Sequence, residues 1–536
     1  MTDQRCPIVA NAAAAIALCS RVLELTRQIC DRARRSHDAR FDGRFFIAVT
    51  TTRVYCRPVC PVRAPKDDHI RYFPTAAAAE AAGFRPCLRC RPEASPGTPA
   101  WLGTSAVVSR ALRLIGEGSL DADGVDALAG RLGMTARHLR RLFVQHLGAT
   151  PVEVAHTRRV HFAKKLLDET ALAFSQVAFA SGFGSVRRFN SQIRRTYART
   201  PTELRRLARQ RVVADPECYR FRLAYRPPYD WAAVLAFLKA RATPGVESVE
   251  PSRYRRTITL DGAHGAIDVS RAETGPALCL DVRFPDPRAL LFIVERVRRM
   301  FDLGADPAVI AEHLRADPML RKPLAGHAGI RVPGAWDGFE LAVRAILGQQ
   351  VSVRAATTIA GRLAAMFGTP VADARGLSRL FPTPAQLKDA ALERAGVMPA
   401  RAAAIRSLAR QVGDGRLALG PCIDGRATIA ALTACQGIGD WTAEYIAMRA
   451  LGEPDAFPRG DLVLRRLAGG LTARALDRRS DAWRPWRAYA AMLLWQQAVD
   501  DDQRTGRVRH AEPEDRSARH DGDDRGARLV AADGAR

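Results

Sequence analysis

Two closely spaced pairs of cysteines constrain this chain more than any other feature of its sequence. Cys56 and Cys60 are separated by three residues, and Cys87 and Cys90 by two. Two such pairs, set apart in sequence, are typical of a tetrahedral zinc site, because four thiolates fill the coordination sphere of Zn²⁺. We therefore predict that these four cysteines bind one Zn²⁺. On the spacing alone, the simplest interpretation is a structural zinc that staples a small domain.

The charge balance points to a polyanionic partner. The formal net charge is +26, and 47% of the 536 residues are hydrophobic. This composition excludes a disordered or collagen-like chain, and no apolar run is long enough to span a membrane. Double-stranded DNA is the first candidate partner. Nearly all of the positively charged residues are arginine, and a genome that favours arginine codons explains this bias equally well. The 11 cysteines are an odd number and few for the length, so a reducing cytoplasm is the expected location.

Composition and periodicity divide the chain into a disordered extension, four modules and a disordered tail. We predict a multidomain α+β protein with a small four-cysteine zinc domain, an all-α domain, an α/β strand-rich domain and a second all-α domain. Alternating apolar residues in segments such as "RTITL" and "ALCLDVRF" predict the strands of the third module. The predicted boundaries are 1–28, 29–95, 101–210, 217–330, 335–500 and 501–536.

The residues around the cysteines indicate the kind of zinc domain more specifically than the spacing of the cysteines does. "FDGRFFIAVTTTRVYCRPVC" and "AAGFRPCLRC" closely resemble the amino-terminal zinc domain of the Ada adaptive-response family. The resemblance implies that Cys56 irreversibly accepts a methyl group from a methylated DNA phosphate, with the other three cysteines as remaining ligands. The physics agrees, because a Zn²⁺ with four thiolates carries a net charge of about −2. Such a centre repels an anionic phosphodiester and admits a neutral methyl phosphotriester.

The second module contains two helix–turn–helix patterns. "VDALAGRLGMTARHLRRLF" turns at a glycine, and "FSQVAFASGFGSVRRFNSQIRRTY" repeats the plan about 50 residues later. The pair resembles the DNA-binding domain of AraC-type regulators, which implies an activator with RNA polymerase as a partner at target promoters. Early residues of the second helix of each unit face the major groove in such motifs. The expected DNA-binding residues are Arg137, Arg140, Arg187 and Arg188, and the alternative is a solvated basic face.

The back half, residues 217–500, resembles the AlkA-type 3-methyladenine DNA glycosylases of the helix–hairpin–helix superfamily. The segments that carry the resemblance are "YRPPYDWAAVLAFLKARA", "RAILGQQVSV", "CQGIGDWTAEYIAMRALG", "FPRGDLVLRRL" and "WRPWRAYAAMLLW". The resemblance implies excision of alkylated purines after the base leaves the stack. It makes the fourth module an all-α helix–hairpin–helix glycosylase domain.

Asp461 is the residue that the resemblance assigns to catalysis. A carboxylate at this place stabilises positive charge on the deoxyribose or helps water attack, although an aspartate at a helix start is more often a simple N-cap. An aromatic pocket for the electron-poor base is expected around it, with core packing as the alternative. The predicted pocket residues are Trp441, Tyr445, Trp495 and Phe237.

The glycine turn of the hairpin is the expected site of a DNA phosphate, because bare N–H groups and the following helix N-terminus cradle anions. Bifunctional members of the superfamily carry a lysine just after the hairpin glycines, whereas Trp441 stands there in this chain, which implies a monofunctional enzyme. Gln350 stands where the family can place a leucine wedge, and Leu462 stands in place of a tyrosine. The resemblance therefore does not carry over the family's range of accepted bases or its kinking of DNA by an apolar wedge, although Gln350 is still expected to fill the gap left by the flipped base. The predicted contacts to DNA in this half are Gly437, Ile438, Gly439, Thr442 and Gln350.

Together these features predict a fusion of an alkylation sensor and transcription activator with a repair glycosylase. Two alternatives stay open. In one, the back half is a catalytically inactive relic in a transcription regulator. In the other, the front half only tethers a glycosylase to DNA. No Pro-Cys-His-Arg tetrapeptide occurs, so direct repair of O6-methylguanine is not expected.

Overall fold

The computed structural model describes residues 25–62, 65–97, 106–122, 124–208, 218–372, 376–420 and 425–504. These residues form a mixed α/β multidomain molecule, as the sequence predicts. Across these ranges, no helix is long and apolar enough to cross a bilayer.

A four-stranded sheet forms the core of the cysteine-bearing module. The strand order is β3-β1-β2-β4, and β1 lies between two antiparallel partners. Successive side chains of β1 pack on opposite faces, because a pleated strand alternates its side chains: Ile47 packs with Cys30, and Phe46 packs with Tyr55. The elements are α1 (Arg27–Arg35), β1 (Phe46–Val49), β2 (Val54–Cys56), β3 (Ile70–Phe73), α2 (Ala76–Ala81) and β4 (Arg85–Pro86).

Eight helices follow in the described residues between 106 and 208. Two pairs, α5–α6 and α8–α9, each turn through a glycine with positive φ, Gly133 at 70° and Gly182 at 76°, which is backbone that glycine adopts without strain. The hydroxyls of Thr135 and Ser185 cap α6 and α9. The helices are α3 (Ala106–Gly116), α4 (Ser119–Ala122), α5 (Val125–Arg131), α6 (Ala136–Leu147), α7 (Pro151–Glu169), α8 (Phe174–Ala180), α9 (Val186–Tyr197) and α10 (Pro201–Leu207).

The strand-rich module is a five-stranded antiparallel sheet in the order β5-β9-β8-β7-β6 with helices against it. The short strand β6 is absent from the sequence prediction, because "ESVE" is too polar to read as a strand. The elements are β5 (Tyr219–Ala224), α11 (Trp231–Lys239), β6 (Glu247–Glu250), β7 (Arg253–Leu260), β8 (Ala263–Arg271), β9 (Ala277–Arg283), α12 (Leu290–Met300), α13 (Pro307–Leu314) and α14 (Pro318–Gly326).

The last module is helical and packs around two apolar clusters, the second of which also contains residues of α13 and α14. Its hairpin helix α20 continues into a π-helical turn, Ala447–Leu451. The helices are α15 (Gly338–Leu347), α16 (Val353–Phe367), α17 (Pro384–Leu387), α18 (Pro399–Gly413), α19 (Gly425–Thr433), α20 (Asp440–Ile446), α21 (Leu462–Leu467), α22 (Ala473–Ser480) and α23 (Arg487–Arg504).

Two of the modules pack against each other, which the division of the sequence into modules does not predict. One continuous apolar cluster contains both the helices α7 to α10 and the five-stranded sheet. The rings of Phe162 and Phe221, for example, have centroids 6.3 Å apart. The helix–turn–helix module is therefore joined to the strand-rich module through a common core.

Both ends of the described chain differ from the predicted boundaries. The first helix begins at Arg27, inside the predicted extension 1–28, because the Thr26 hydroxyl accepts a hydrogen bond from the Ile29 N–H and caps it. The last helix continues to Arg504, inside the predicted tail 501–536, where Arg504 pairs with Asp501. The rest of the predicted extension and tail lies outside the described residues.

Candidate functional site

Within the described residues, the carboxylate of Asp461 accepts four hydrogen bonds. Its Oδ1 accepts from the backbone N–H groups of Val463 and Leu464, both at 3.0 Å, and from Trp495 Nε1 at 3.1 Å. Its Oδ2 accepts from Trp441 Nε1 at 3.0 Å. The first two bonds are an ordinary helix cap. The two indole bonds add donors that a cap does not need, and they aim the carboxylate at the aromatic residues.

Three of the four predicted aromatic residues come together beside this carboxylate. Trp441 and Tyr445 stack with centroids 5.3 Å apart and planes 8° apart, as their spacing of one helical turn predicts. Trp495 lies 6.3 Å from Tyr445 at 58°. Trp441 and Trp495 are half-buried, whereas Tyr445 is buried. The rings and the carboxylate thus form one site from α20, α21 and α23.

Phe237, the fourth predicted pocket residue, has no ring–ring contact with the other three in the described part of the protein. Its ring faces the guanidinium groups of Arg241 and Arg449. The central carbons of these groups lie 3.8 Å and 4.8 Å from the ring centroid, respectively. It packs with the second apolar cluster of the glycosylase-like half. The ring of Phe237 therefore packs against two guanidinium groups, which cover its aromatic face.

These two arginines are absent from the sequence prediction. Arg449 Nη1 donates to the Tyr445 hydroxyl at 2.7 Å, and the buried guanidinium also donates to the carbonyls of Pro333 and Gly334. Burial raises the pKa of Tyr445, but the charges of Arg449 and Arg241 outweigh burial and lower it to about 8. The i, i+4 spacing of Tyr445 and Arg449 is the one signal in the sequence that points to this pair.

The hairpin turn leaves its glycines exposed and buries Ile438. Gly437 has φ of 84°, and a Cβ there would lie 2.7 Å from that of Ala404, so glycine is required by both conformation and space. Gly439 is the N-cap of α20. The backbone of this turn, and not the Ile438 side chain, is available to a phosphate.

The loop before α16 is fastened to the hairpin. Gln349, which the prediction omits, donates from Nε2 to the Gly437 carbonyl at 2.9 Å and to the Thr442 hydroxyl at 3.0 Å. Thr442 is 2% exposed, so its side chain is engaged inside the protein. Gln350, the next residue, is exposed and has φ of 53°.

The four cysteines predicted as zinc ligands come together. Their sulfurs all lie within 4.8 Å of one another, and a tetrahedral Zn²⁺ at about 2.3 Å from each sulfur needs sulfurs about 3.8 Å apart. The donor set and geometry therefore fit one Zn²⁺. Cys60, Cys87 and Cys90 are 7–9% exposed, whereas Cys56 is half-buried and the most accessible of the four.

Arg57 links this centre to its surroundings. Its backbone N–H donates to Cys90 Sγ at 3.4 Å, its Nη1 donates to the Cys90 carbonyl at 3.0 Å, and its Nε donates to Asp42 at 2.9 Å. The guanidinium is thus committed inside the module. The sequence does not reveal this, because Asp42 is 15 residues away.

The four arginines predicted to contact DNA are exposed on α6 and α9. Arg137 and Arg140 lie in the first half of α6, and Arg187 and Arg188 begin α9. The buried faces of these helices carry Leu139 and Phe189, so the arginines point outward. Both helices therefore present basic faces of the kind that enter a major groove.

Four family models match the chain, each to one module. They are the metal binding domain of Ada over residues 29–93, a helix-turn-helix domain over 128–207, the AlkA N-terminal domain over 220–337 and the HhH-GPD superfamily of base excision DNA repair proteins over 343–479.

Three relatives match this chain, one over most of its length and two over part of it. A probable bifunctional transcriptional activator/DNA repair enzyme AlkA of Mycobacterium tuberculosis is 46% identical over 474 residues, which are 87% of this chain and 95% of the relative. The DNA-3-methyladenine glycosylase 2 of Escherichia coli is 32% identical over 51% of this chain and 96% of its own length. The bifunctional transcriptional activator/DNA repair enzyme AdaA of Bacillus subtilis is 30% identical over 32% of this chain and 80% of its own.

Proposed function

Because the chain belongs to the family of AlkA-type bifunctional transcriptional activators and DNA repair enzymes, we propose that Asp461 is its catalytic carboxylate and that Trp441, Tyr445 and Trp495 receive the base. The back half is a 3-methyladenine-type DNA glycosylase, and the front half combines an Ada-type zinc domain with a helix–turn–helix activator domain. Its partner is double-stranded DNA, and it binds one Zn²⁺. The observation that carries the catalytic proposal is the pair of indole bonds to Asp461.

The reaction needs little help with the leaving group. An N-alkylated purine such as 3-methyladenine is already cationic in the nucleotide and leaves as a neutral base. When the N-glycosidic bond breaks, its electron pair departs with the base and positive charge develops on the deoxyribose. The Asp461 carboxylate stabilises this charge. Water then adds to the sugar carbon, and its proton passes to Asp461 or to solvent.

The aromatic residues discriminate between alkylated and ordinary purines. A cation over an aromatic face is stabilised by about 0.5–2 kcal/mol, and Trp441 and Trp495 offer half-buried rings beside Asp461. The target base reaches them only after it leaves the stack, with the hairpin holding the backbone and Gln350 beside the vacated position. We propose a monofunctional enzyme, because Trp441 and not a lysine follows the hairpin glycines.

Replacing Asp461 with asparagine tests this assignment. Asparagine caps a helix about as well as aspartate, so folding and DNA binding are expected to persist. Base release from DNA that contains 3-methyladenine is expected to fall at least a hundredfold, measured under single-turnover conditions. Equal release by both proteins would remove Asp461 from the mechanism.

For the front half we propose that Cys56 accepts the methyl group of a DNA methyl phosphotriester. Its greater exposure among the four cysteines supports this choice. Bound zinc would keep the thiol ionised and nucleophilic. The sulfur–carbon bond forms as the carbon–oxygen bond breaks, and the phosphate leaves as an ordinary anionic diester. The altered charge then favours DNA binding by α6 and α9, with RNA polymerase as the partner at target promoters.

Peptide mass mapping after incubation with DNA that carries methyl phosphotriesters tests the acceptor. A methyl group is expected on Cys56, with no methylated product in Cys56→Ala. The Cys279→Ser variant, altered outside the cluster, is expected to be methylated like the wild type. An unmodified Cys56 in a protein that still excises alkylated bases would reduce the zinc module to a tether.

A further inference from the structure

The helix–turn–helix half reaches into the glycosylase half through the side chain of Arg113, on α3. Its Nη1 donates to the carbonyls of Leu451 at 2.7 Å and Gly452 at 3.1 Å. Its Nη2 donates to Glu453 Oε1 at 3.3 Å. The side chain of Arg113 is 9% exposed and that of Glu453 16%, so the ion pair between the halves is largely shielded from water.

Arg113 meets the glycosylase where the hairpin helix ends. The last carbonyls of a helix have no partner within it, and the helix dipole makes this end negative. Gly452 ends the π-helical turn with φ of 66°, and the guanidinium of Arg113 supplies both hydrogen-bond donors and positive charge to its terminal carbonyls. The front half thus caps a helix of the back half.

Neighbouring contacts hold α3 against the back half. Glu117, just beyond the end of α3, pairs with Arg299 at 3.0 Å. The end of the helix that carries Arg113 is therefore tied to α12 through Glu117. The zinc module contacts the same region separately, because the carbonyl of Pro96 accepts from Arg298 and that of Gly97 accepts from Arg226.

The capped turn contains the arginine that orients the base pocket. Arg449 lies within Ala447–Leu451 and donates to the Tyr445 hydroxyl. Tyr445 stacks on Trp441, and Trp441 donates to Asp461. A continuous series of contacts thus runs from Arg113 to the carboxylate proposed to be catalytic. The carbonyls of Pro333 and Gly334 also hold the guanidinium of Arg449, and the capped end of the turn adds to them by fixing the backbone that carries this side chain.

We propose that Arg113 of the helix–turn–helix half is a positioning residue for base release by the glycosylase half. By capping the end of the π-helical turn, it keeps Arg449, Tyr445 and Trp441 in the arrangement that holds Asp461. The front half thereby completes the active site of the back half. This inference rests on the proposed roles of Asp461 and the aromatic residues.

The effect should separate chemistry from DNA binding. The glycines that hold DNA lie at the opposite end of the same helix, roughly 18 Å away for 12 residues at 1.5 Å each. Loss of the cap is expected to disturb the aromatic residues near the carboxylate and to leave the phosphate contacts intact. A displacement of about 1 Å in a catalytic group costs up to about a hundredfold in rate.

The test compares Arg113→Ala and Arg113→Lys with Arg131→Ala in the full-length, zinc-loaded protein. Arg131 is an exposed arginine on α5 of the same half. The single-turnover rate of 3-methyladenine release is expected to fall about tenfold in Arg113→Ala, with partial rescue by Arg113→Lys and no change in Arg131→Ala. The Kd for a duplex with an abasic-site analogue is expected to stay within twofold.

Two results would overturn the inference. One is an unchanged release rate in Arg113→Ala. The other is a loss of rate in Arg113→Ala that matches its loss of folded protein, measured by thermal unfolding and zinc content at the assay temperature. Failure of the underlying assignment would look different, because Asp461→Asn would then release base as fast as the wild type.

Discussion

The indole nitrogen of Trp495 donates to the carboxylate of Asp461 across 3.1 Å, although the two residues are 34 positions apart. Trp441 donates to the other carboxylate oxygen. Two aromatic residues of the base pocket are therefore also hydrogen-bond donors to the proposed catalytic group. Recognition of the base and placement of the charge depend on the same side chains.

Trp495→Phe is expected to slow base release by about tenfold or more, because it removes one hydrogen bond to a charged acceptor and keeps an aromatic ring. Such a bond contributes about 1.5–3 kcal/mol. Trp483→Phe is a matched control, since Trp483 Nε1 donates to Asp317 at 2.8 Å away from the pocket. It is expected to lower the thermal midpoint and leave the release rate of folded protein unchanged. Equal effects of the two variants on the rate would contradict the role of the indole bond.

Removal of zinc is expected to affect the two halves unequally. Cys87→Ser should abolish stoichiometric zinc, measured by mass spectrometry of the metal, whereas Cys279→Ser outside the cluster should retain it. Without zinc the small sheet β1 to β4 loses its main staple, and methyl transfer should cease. Base release should persist at a measurable rate, because the zinc module contributes neither Asp461 and its aromatic neighbours nor Arg113. Loss of base release to the level of Asp461→Asn would contradict this expectation.

Leu462 is expected to contribute to binding of damaged DNA. It follows Asp461 and is 75% exposed. Its apolar side chain is therefore in contact with water and is not buried by the described part of the protein. Burial of a leucine is worth about 1.5–3 kcal/mol, and Leu462→Ala is expected to weaken binding to a duplex with an abasic-site analogue about tenfold. Val499→Ala, an exposed apolar residue on α23, is the control. An equal loss on undamaged duplex would show that Leu462 does not act at the lesion.

The surroundings of His327 predict that the free energy of unfolding depends on pH. Burial lowers the pKa of His327, but hydrogen bonds to Asp230 at 2.6 Å and Asp500 at 2.9 Å outweigh burial and raise it. A histidine whose folded pKa exceeds its unfolded pKa, ordinarily about 6.5, contributes stability that is fully present below that value. This contribution disappears as the pH rises through the folded pKa.

His327→Gln is therefore expected to destabilise the protein by about 1 kcal/mol at pH 5.5 and by much less at pH 8.5. Chemical denaturation of both proteins across this range measures the difference. His264→Gln, at a histidine on β8, controls for general effects of pH on histidine variants. A penalty that does not change with pH would show that the two aspartates do not favour the charged ring.

Local sequence patterns determined part of the candidate site, whereas the resemblance to known glycosylases over the whole back half pointed to Asp461. Ligand spacing determined the cysteine cluster, and one helical turn between Trp441 and Tyr445 determined their stacking. Helix and strand periodicity determined the order of the modules, and a glycine turn determined the hairpin. These properties depend on residues a few positions apart, whose geometry the backbone period sets.

Tertiary structure decided what surrounds these residues. It brought Arg241 to the face of Phe237, fastened Gln349 to the hairpin, and set Arg113 against carbonyls 338 and 339 positions away. It also merged the helix–turn–helix module with the five-stranded sheet in one core. No local period encodes such contacts, because they arise when separate amphipathic faces bury one another and their polar groups must then find partners.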